Sequence, residues 1–276
     1  MGDPRKDEPR GPRNGPKVQP RTPRGTTFRK PTLEPATTTL WSYPSQHYTG
    51  RDGKLQGDPN YTGATPSWVI WQLLTRYTEP GEVVVDPMCG SGTTLDVCRD
   101  LDRDGIGFDI APSRRDIRRA DARTLPLDDA SAAFVFVDPP YSTHVEYSND
   151  PACIGQLDAG GPDGGHEYYD AMGRAIGEMH RVLKPGRFAG LYVSDSWRKT
   201  GDDRRTGRAL GEFMPIGFRL LDIMLRTGFE AVDVVAVVRR NEKLKRGKWH
   251  DSAAREGFML RGFNYLFIVR KPRRRR

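Results

Sequence analysis

The stretch EVVVDPMCGSGTT at residues 82–94 decides the fold of this chain. It opens with an uninterrupted apolar run at 83–85, of the kind that forms a strand buried on both faces of a parallel sheet. Asp86 ends that run, and a loop rich in Gly, Ser and Thr leads into a helical pattern at about 93–101. Strand, loop and helix in this order mark the edge at which open α/β sheets bind their ligands.

The glycines of this loop predict a close approach of the backbone to a ligand. Gly90 and Gly92 have no side chain, so the chain can turn sharply between strand and helix. Thr93 stands where a P-loop needs lysine, and Leu95 stands where a dinucleotide fingerprint needs its third glycine. The loop therefore indicates another nucleoside-bearing ligand, and the residues predicted to hold it are Asp86, Pro87, Cys89, Gly90, Ser91 and Gly92.

Helical and strand patterns alternate outward from this loop. Thr65-Pro66 predicts a helix start, with a hydroxyl cap and proline at the first helical position. Alternation of this kind predicts a mostly parallel, twisted α/β sheet with helices on both faces and a β-hairpin at the end. Further strands are predicted at 105–110, 132–137, 188–193, 231–238 and 263–269, and further helices at 172–183 and 208–227, the latter interrupted by Pro215. Two long connections remain, at 142–166 and 240–262.

Two acidic residues that follow the glycine loop are candidates for cofactor contact. Asp109 ends the second predicted strand about 20 residues after the loop, where a carboxylate can accept both hydroxyls of a ribose. Its alternative role is to cap the next helix. Asp121 is placed near the following strand edge, as a partner for an adenine amine.

The tetrapeptide Asp138-Pro139-Pro140-Tyr141 follows the strand predicted at 132–137. Its two prolines remove backbone donors and stiffen the chain, which leaves carbonyls and the Asp138 carboxylate as acceptors. An aspartate of ordinary pKa, about 3.9, cannot deprotonate an aromatic amine, but it can orient the amine and take a proton as positive charge develops. Tyr141 offers a flat face for an extruded base.

The net charge is +8, with basic residues concentrated towards both ends. This favours a polyanionic partner. We expect a disordered basic tail at 1–36, one folded domain at 37–272 and a short basic tail at 273–276. Three cysteines without CxxC spacing argue against a disulfide framework and a zinc site. The N-terminus lacks the apolar core of a signal peptide, and no apolar run is long enough to span a membrane, so a cytoplasmic protein is expected.

The loop and the tetrapeptide together resemble the motifs of the DNA amino-methyltransferases, the N6-adenine and N4-cytosine family. The resemblance extends from about residue 61 to 272, including Thr65-Pro66 before the loop. It implies a Rossmann-like methyltransferase sheet, S-adenosylmethionine bound by the loop residues with Thr65, Asp109 and Asp121, and capture of a base amino group by residues 138–141. Aspartate at the head of the tetrapeptide favours adenine over cytosine by this resemblance.

The chain departs from many members of that family in two respects. The tetrapeptide follows the glycine loop here, whereas many members have the opposite order. No separate target-recognition domain of usual size remains, so a restriction-modification enzyme is one option among several. An RNA base amino-methyltransferase and an inactive nucleic-acid-binding protein of the same fold are the alternatives. The sequence leaves open whether the chain acts as a monomer or a homodimer.

The connection at 240–262 is a candidate for contact with nucleic acid. It interleaves basic and aromatic side chains, which suits phosphate contact combined with stacking on bases. The residues predicted for this role are Lys243, Lys245, Arg246, Lys248 and Trp249. A mobile surface loop is the alternative interpretation.

Overall fold

The structure is a computed structural model of the 276-residue chain, and it describes residues 33–42, 48–205, 209–238 and 246–273. Five α-helices lie in these residues: α1 Ser67–Tyr77, α2 Thr93–Asp100, α3 His166–Val182, α4 Ile216–Arg226 and α5 Lys248–Glu256. The strands are β1 Leu40–Trp41, β2 Val83–Asp86, β3 Asp104–Asp109, β4 Ile117–Arg119, β5 Ala132–Val137, β6 Leu183–Val193, β7 Ser196–Asp202, β8 Ala209–Met214, β9 Glu230–Val238 and β10 Phe263–Arg270.

Eight strands form one sheet in the order β1-β9-β10-β6-β5-β2-β3-β4. Strands β2 to β6 pair in parallel, and β10 lies antiparallel between β6 and β9. The mostly parallel Rossmann-like sheet and its terminal hairpin, β9–β10, are therefore confirmed. From β2 the chain proceeds to β3 and β4 on one side, then crosses to β5 and β6 on the other. The carboxyl end of β2 is thus the point where the strand order reverses, at which open α/β sheets bind ligands.

The sheet is covered on both faces because its central strands alternate apolar side chains. Val84, Phe134 and Phe136 pack with α1 and α2 on one face, and Val85 and Val135 pack with α3 and α4 on the other. All five side chains are at most 1% exposed. Parallel strands that are buried on both faces have continuous apolar sequences. For this reason the predicted bounds of β2 and β5 agree with the observed bounds to within one residue.

The prediction of a helix at 208–227 is wrong for the first part of that range, before Pro215. Residues 209–214 form β8, which pairs antiparallel with β7 as a separate two-stranded sheet. Helix α4 begins only after Pro215, because proline is tolerated where no intrahelical donor is required, and so it starts this helix instead of interrupting it. Position 211 in β8 requires glycine, because a Cβ there would clash with the Trp197 ring.

Two further expectations about local structure are corrected. Thr65 does not cap α1, whose N-cap is Pro66 and lacks a side-chain cap bond. The connection at 240–262 is not structureless, because its described part contains α5.

The predicted disordered tail at 1–36 lies mostly outside the described residues, and only 33–36 are described. The backbone N–H of Ala36 donates to Gln72 Oε1 at 2.9 Å, and Gln72 Nε2 donates to the Glu34 carbonyl at 2.7 Å. These last residues of the segment therefore contact α1. Of the tail at 273–276, only Arg273 is described. No helix in the described part of the chain is long and apolar enough to cross a membrane.

Candidate active site

A cleft that is partly open to solvent lies at the carboxyl ends of β2, β3 and β5. Asp86, Asp109 and Asp138 stand at or just after these three strand ends, so parallel pairing brings them to one edge of the sheet. Ten of the thirteen residues predicted for catalysis or cofactor binding line the cleft: Thr65, Asp86, Pro87, Cys89, Gly90, Ser91, Asp109, Asp121, Asp138 and Pro140. Gly92, Pro139 and Tyr141 do not line it.

The glycine loop requires the two glycines that the sequence singled out. Gly90 and Gly92 have φ values of +50° and +81°, in the left-handed region that side chains other than glycine rarely adopt. A Cβ on Gly92 would lie 2.6 Å from the Arg114 guanidinium, which donates to Asp96 at 2.8 Å and holds the start of α2. Backbone conformation and packing therefore both select glycine at position 92.

Asp109 fastens this loop to the end of β3. Its Oδ2 accepts a hydrogen bond from the Gly90 N–H and its Oδ1 accepts one from the Ala111 N–H, both at 2.9 Å. The element that directly follows Asp109 is strand β4 and not a helix, so the alternative role as a helix cap does not apply. Each carboxylate oxygen has a second lone pair, so Asp109 can position the loop and still accept a ligand hydroxyl.

Asp86 is a buried acid in the wall of the cleft, and it is 3% exposed. Burial, assisted by the charges of Asp138 and Asp109, raises the pKa of its carboxyl to about 7. Hydrogen bonds from the Thr94 hydroxyl at 2.5 Å and the Met88 N–H at 3.1 Å act in the opposite direction. Asp86, Asp109 and Asp138 thus place three carboxyl groups around one cleft, which suits a cationic ligand.

The raised pKa of Asp86 predicts a loss of stability as pH rises. Its folded-state pKa of about 7 exceeds the ordinary value of 3.8, so its stabilising contribution is complete below pH 3.8 and is lost through pH 7. Asp86→Asn should remove this dependence. The free energy of unfolding of the native protein relative to that variant should fall by up to about 4 kcal/mol between pH 4 and pH 8.

Urea unfolding at several pH values measures this difference. The matched control is Asp128→Asn, which alters an exposed aspartate and should follow the native pH profile. Parallel curves for the native protein and Asp86→Asn would contradict the burial argument.

Asp121 forms an ion pair that the sequence did not predict. Arg123 Nη2 lies 2.6 Å from Asp121 Oδ2, and the Arg123 N–H donates to Asp121 Oδ1 at 2.9 Å. Burial by itself would raise the pKa of Asp121, but the hydrogen bonds and charge of Arg123 lower it. Arg123 also donates to the Ala152 carbonyl at 2.8 Å, which joins this wall of the cleft to the connection after the tetrapeptide.

The Asp138 carboxylate is held by a hydroxyl on each oxygen. Thr65 Oγ1 donates to Oδ2 at 2.6 Å, and the Tyr141 hydroxyl donates to Oδ1 at 2.7 Å. Thr65 therefore acts across 73 residues of sequence, where a local helix cap had been expected. The Pro140 carbonyl accepts a hydrogen bond from the Tyr168 hydroxyl at 2.7 Å, which ties the tetrapeptide to α3.

Two tyrosines cover the cleft, and the sequence did not identify Tyr61 as part of it. The rings of Tyr61 and Tyr147 stack with their centroids 6.3 Å apart and their planes at 28°. A Cβ on Gly90 would lie 3.0 Å from the Tyr61 hydroxyl oxygen, so this ring packs directly on the glycine loop. Tyr61 carries no local motif, and only the folded chain brings it to the loop.

The residues predicted to bind nucleic acid divide into two groups. Lys243 and Lys245 lie outside the described residues. Lys248 and Trp249 are exposed at the start of α5, and Arg246 is exposed just before it; none of the three lines the cleft. Their role stays a prediction.

Comparison with known proteins agrees with the resemblance of the motifs. Residues 6–119 match a family model described as DNA methylase, a match that includes the glycine loop and ends before Asp138. The Type II methyltransferase M.HpaI of Haemophilus parainfluenzae is 34% identical over 71 residues, which cover 26% of this chain and 21% of that protein. The Type II methyltransferase M.MjaII of Methanocaldococcus jannaschii is 34% identical over 62 residues, which cover 22% of this chain and 12% of that protein.

A solved S-adenosylmethionine-dependent methyltransferase of Methanosarcina mazei superimposes with a TM-score of 0.44 and 14% identity, over 73% of this chain and 97% of that one. The curated relatives are much longer than the segments they share with this chain, which span about a fifth and an eighth of their lengths. The resemblance inferred from the motifs is confirmed: through residues 6–119, this chain matches the DNA methylase family.

Proposed function

We propose that the protein methylates an exocyclic amino group of a base in DNA, using S-adenosylmethionine, with N6 of adenine favoured over N4 of cytosine. The observation that carries this proposal is one cleft lined by the glycine loop, Asp109 and Asp138. The loop that we propose binds the nucleoside and the carboxylate that we propose accepts the amine thus line the same cleft. The family match supports DNA as the substrate.

The cleft has the chemistry that S-adenosylmethionine requires. Asp109 and the loop backbone would hold the ribose and the adjoining part of the ligand, and Tyr61 would cover it. The raised pKa of Asp86 marks a buried acid whose charge is not fully compensated, which suits a ligand carrying sulfonium and ammonium groups. When bound, S-adenosylmethionine supplies an electrophilic methyl group.

The chain's own contribution to catalysis is to orient the amine and accept its proton. The Thr65 and Tyr141 hydroxyls donate to opposite oxygens of Asp138, and so they hold the carboxylate in a fixed plane for the amine of the base. Asp138 would accept the amine hydrogens, which favours a pyramidal nitrogen with its lone pair free. Asp138 then takes the proton that leaves as the nitrogen becomes cationic.

The charge balance of the cleft predicts proton release when the cofactor binds. A cationic ligand beside Asp86 stabilises the ionised carboxylate, so its pKa falls from about 7 and the proton is released. At pH 6.5, where a group of pKa about 7 is about three-quarters protonated, titration calorimetry in buffers of different ionisation enthalpy should show a release of up to about 0.75 proton, and this release should vanish in Asp86→Asn. Absence of any binding by the intact native protein would refute the cofactor assignment.

Methylation at carbon 5 of cytosine is disfavoured by the state of the cysteines. That reaction needs a thiolate nucleophile. Cys153 and Cys89 line the cleft, but burial raises the pKa of both thiols. They therefore stay protonated at neutral pH and serve as small packing groups.

Mass spectrometry of nucleosides tests the proposed function. DNA and RNA are incubated separately with the full chain and isotopically labelled S-adenosylmethionine, and the digested nucleosides are then examined. Labelled N6-methyladenine in DNA is the expected product. N4-methylcytosine would keep the reaction class and change the base, whereas label confined to RNA, or no transfer, would overturn the proposal.

Helix α5 is the surface that we assign to DNA contact. None of its nine residues is buried, and Trp249 is 63% exposed. Positively charged Lys248 beside this ring suits a phosphate contact next to a stacking contact. Gly247 and Gly257 flank the helix with φ values of +94° and +80°, and a Cβ on either would contact no atom.

Substitutions in α5 should separate stacking from charge. Trp249→Ala should weaken DNA binding about 5- to 100-fold, because one base-stacking contact contributes about 1–3 kcal/mol. Lys248→Ala should reduce the slope of log K against log salt by about 0.9, as expected for one phosphate contact. Fluorescence anisotropy at several salt concentrations measures both effects.

The matched control is the pair Leu225→Ala and Arg226→Ala at the exposed end of α4, where Leu225 is 42% exposed. These changes should leave affinity and slope unaltered. Equal effects at the two helices would contradict the assignment of α5.

A further inference from the structure

The side chain of Asn264, in the last strand of the sheet, contacts the tetrapeptide at residues 138–141. Asn264 is the second residue of β10 and is 3% exposed. Its Nδ2 donates to the Tyr141 hydroxyl oxygen at 3.1 Å, across 123 residues of sequence. Strand β10 is inserted antiparallel beside β6, so its first residues lie at the sheet edge where the parallel strands end. The last strand thereby contributes a side chain next to the catalytic carboxylate.

The chemistry of the three groups sets the direction of this chain of hydrogen bonds. A side-chain N–H can only donate, and a tyrosine hydroxyl has a single proton. Because the Tyr141 oxygen accepts from Asn264, its own proton is available for Asp138, to which it donates at 2.7 Å. An acceptor in place of the Asn264 amide nitrogen would instead draw the tyrosine proton away from Asp138.

Fixing this direction matters because Asp138 must present defined lone pairs to the amine. The hydroxyls of Thr65 and Tyr141 bond to opposite oxygens, and so they fix the carboxylate plane. Both also favour the ionised form, which alone can accept an amine hydrogen on each oxygen. If the Tyr141 hydroxyl turned away, one of these two restraints would be lost.

We propose that Asn264 is a positioning residue, which directs the Tyr141 hydroxyl onto Asp138 and so holds that carboxylate for the amine of the base. This rests on the proposed function. Asn264 acts only through Tyr141, so its removal should affect turnover without affecting the cofactor.

A double-mutant cycle tests the proposal. Tyr141→Phe should lower kcat about 10-fold, as expected for loss of one hydrogen bond to a charged group. Asn264→Ala should lower kcat by a similar factor, because it releases the hydroxyl that makes that bond. The double variant should be no slower than the slower single variant, since both changes break the same chain. The Kd for S-adenosylmethionine should stay within about twofold. Single-variant effects that multiply would overturn the proposal, as would effects confined to cofactor affinity.

Asn264→Asp replaces the hydrogen-bond donor to the Tyr141 hydroxyl with an acceptor. Its carboxylate accepts the tyrosine proton, so kcat should fall further than in Asn264→Ala, and the acidic limb of the kcat profile should move to higher pH as Asp138 loses its donor. An unchanged limb would count against the proposal. If the buried carboxylate prevents folding, the cycle with Asn264→Ala still decides.

Tyr265→Phe is the matched control. It removes a hydroxyl from the next residue of β10, which bonds to Asp195 Oδ2 at 3.1 Å, and kcat should not change. If the native protein transfers no methyl to any nucleic acid, the proposed function fails. In that case the melting temperatures of the same single and double variants show whether the Asn264 proposal fails as well. Sub-additive losses of melting temperature would support the link between Asn264 and Tyr141, and additive losses would reject it.

Discussion

Asp138→Ala is expected to lower the rate of methyl transfer about 10²- to 10⁴-fold, the range for loss of a positioned proton acceptor. The change removes the group that we propose orients the amine and receives its proton, and it also removes the shared acceptor of the Thr65 and Tyr141 hydroxyls. Affinity for S-adenosylmethionine should change little. Single-turnover transfer of labelled methyl to DNA measures the rate, and calorimetry measures the affinity.

Asp138→Asn refines this expectation. The amide keeps one acceptor oxygen but loses the negative charge, so its rate should lie between those of the native protein and Asp138→Ala. Asp170→Asn is the control, since it alters an aspartate on the exposed side of α3 that pairs with Arg174. Near-native transfer by Asp138→Ala would exclude the catalytic role of this carboxylate.

Asp109→Ala is expected to raise the Kd for S-adenosylmethionine about 10- to 100-fold. Asp109 holds the glycine loop through the N–H groups of Gly90 and Ala111, and it faces the cleft where a ribose would lie. Hydrogen bonds to a charged group contribute about 1.5–3 kcal/mol each, and each 1.4 kcal/mol is a tenfold change in affinity. At saturating cofactor the rate of transfer should recover most of its native value.

The matched control for Asp109 is Asp104→Ala, at the exposed opposite end of the same strand β3. This control should bind the cofactor like the native protein, because its side chain lies far along the strand from the loop. Equal losses of affinity in the two variants would show that β3 had been destabilised as a whole, and would contradict a specific role for Asp109.

Much of the candidate site was predictable from the sequence because its elements are local. A buried parallel strand appears as a continuous apolar run, and positive φ values appear as glycines, so β2, the loop and α2 were all recognisable. The Asp138 tetrapeptide follows such a run as well. Since parallel strands end at one edge, motifs after two of them were expected to share a cleft, and they do.

Interactions between distant segments were not predictable, because no periodic pattern encodes them. Thr65 appeared to be a helix cap, yet it bonds to Asp138. Strand β8 was taken for helix because its apolar residues next to Pro215 fit either period. Tyr61 and Asn264 reach the site only through the order of strands and the packing of the loop.

The sequence by itself determined the glycine loop, the acidic strand ends and the tetrapeptide, since these depend on backbone conformation and on burial of single strands. The tertiary structure decided how the Asp138 carboxylate is held. Thr65 precedes α1, Tyr141 follows β5 and Asn264 lies in β10, and only the assembled sheet aligns these three around one acid. Hydrogen bonds require atoms within about 3 Å, and that proximity is set by topology, not by spacing along the chain.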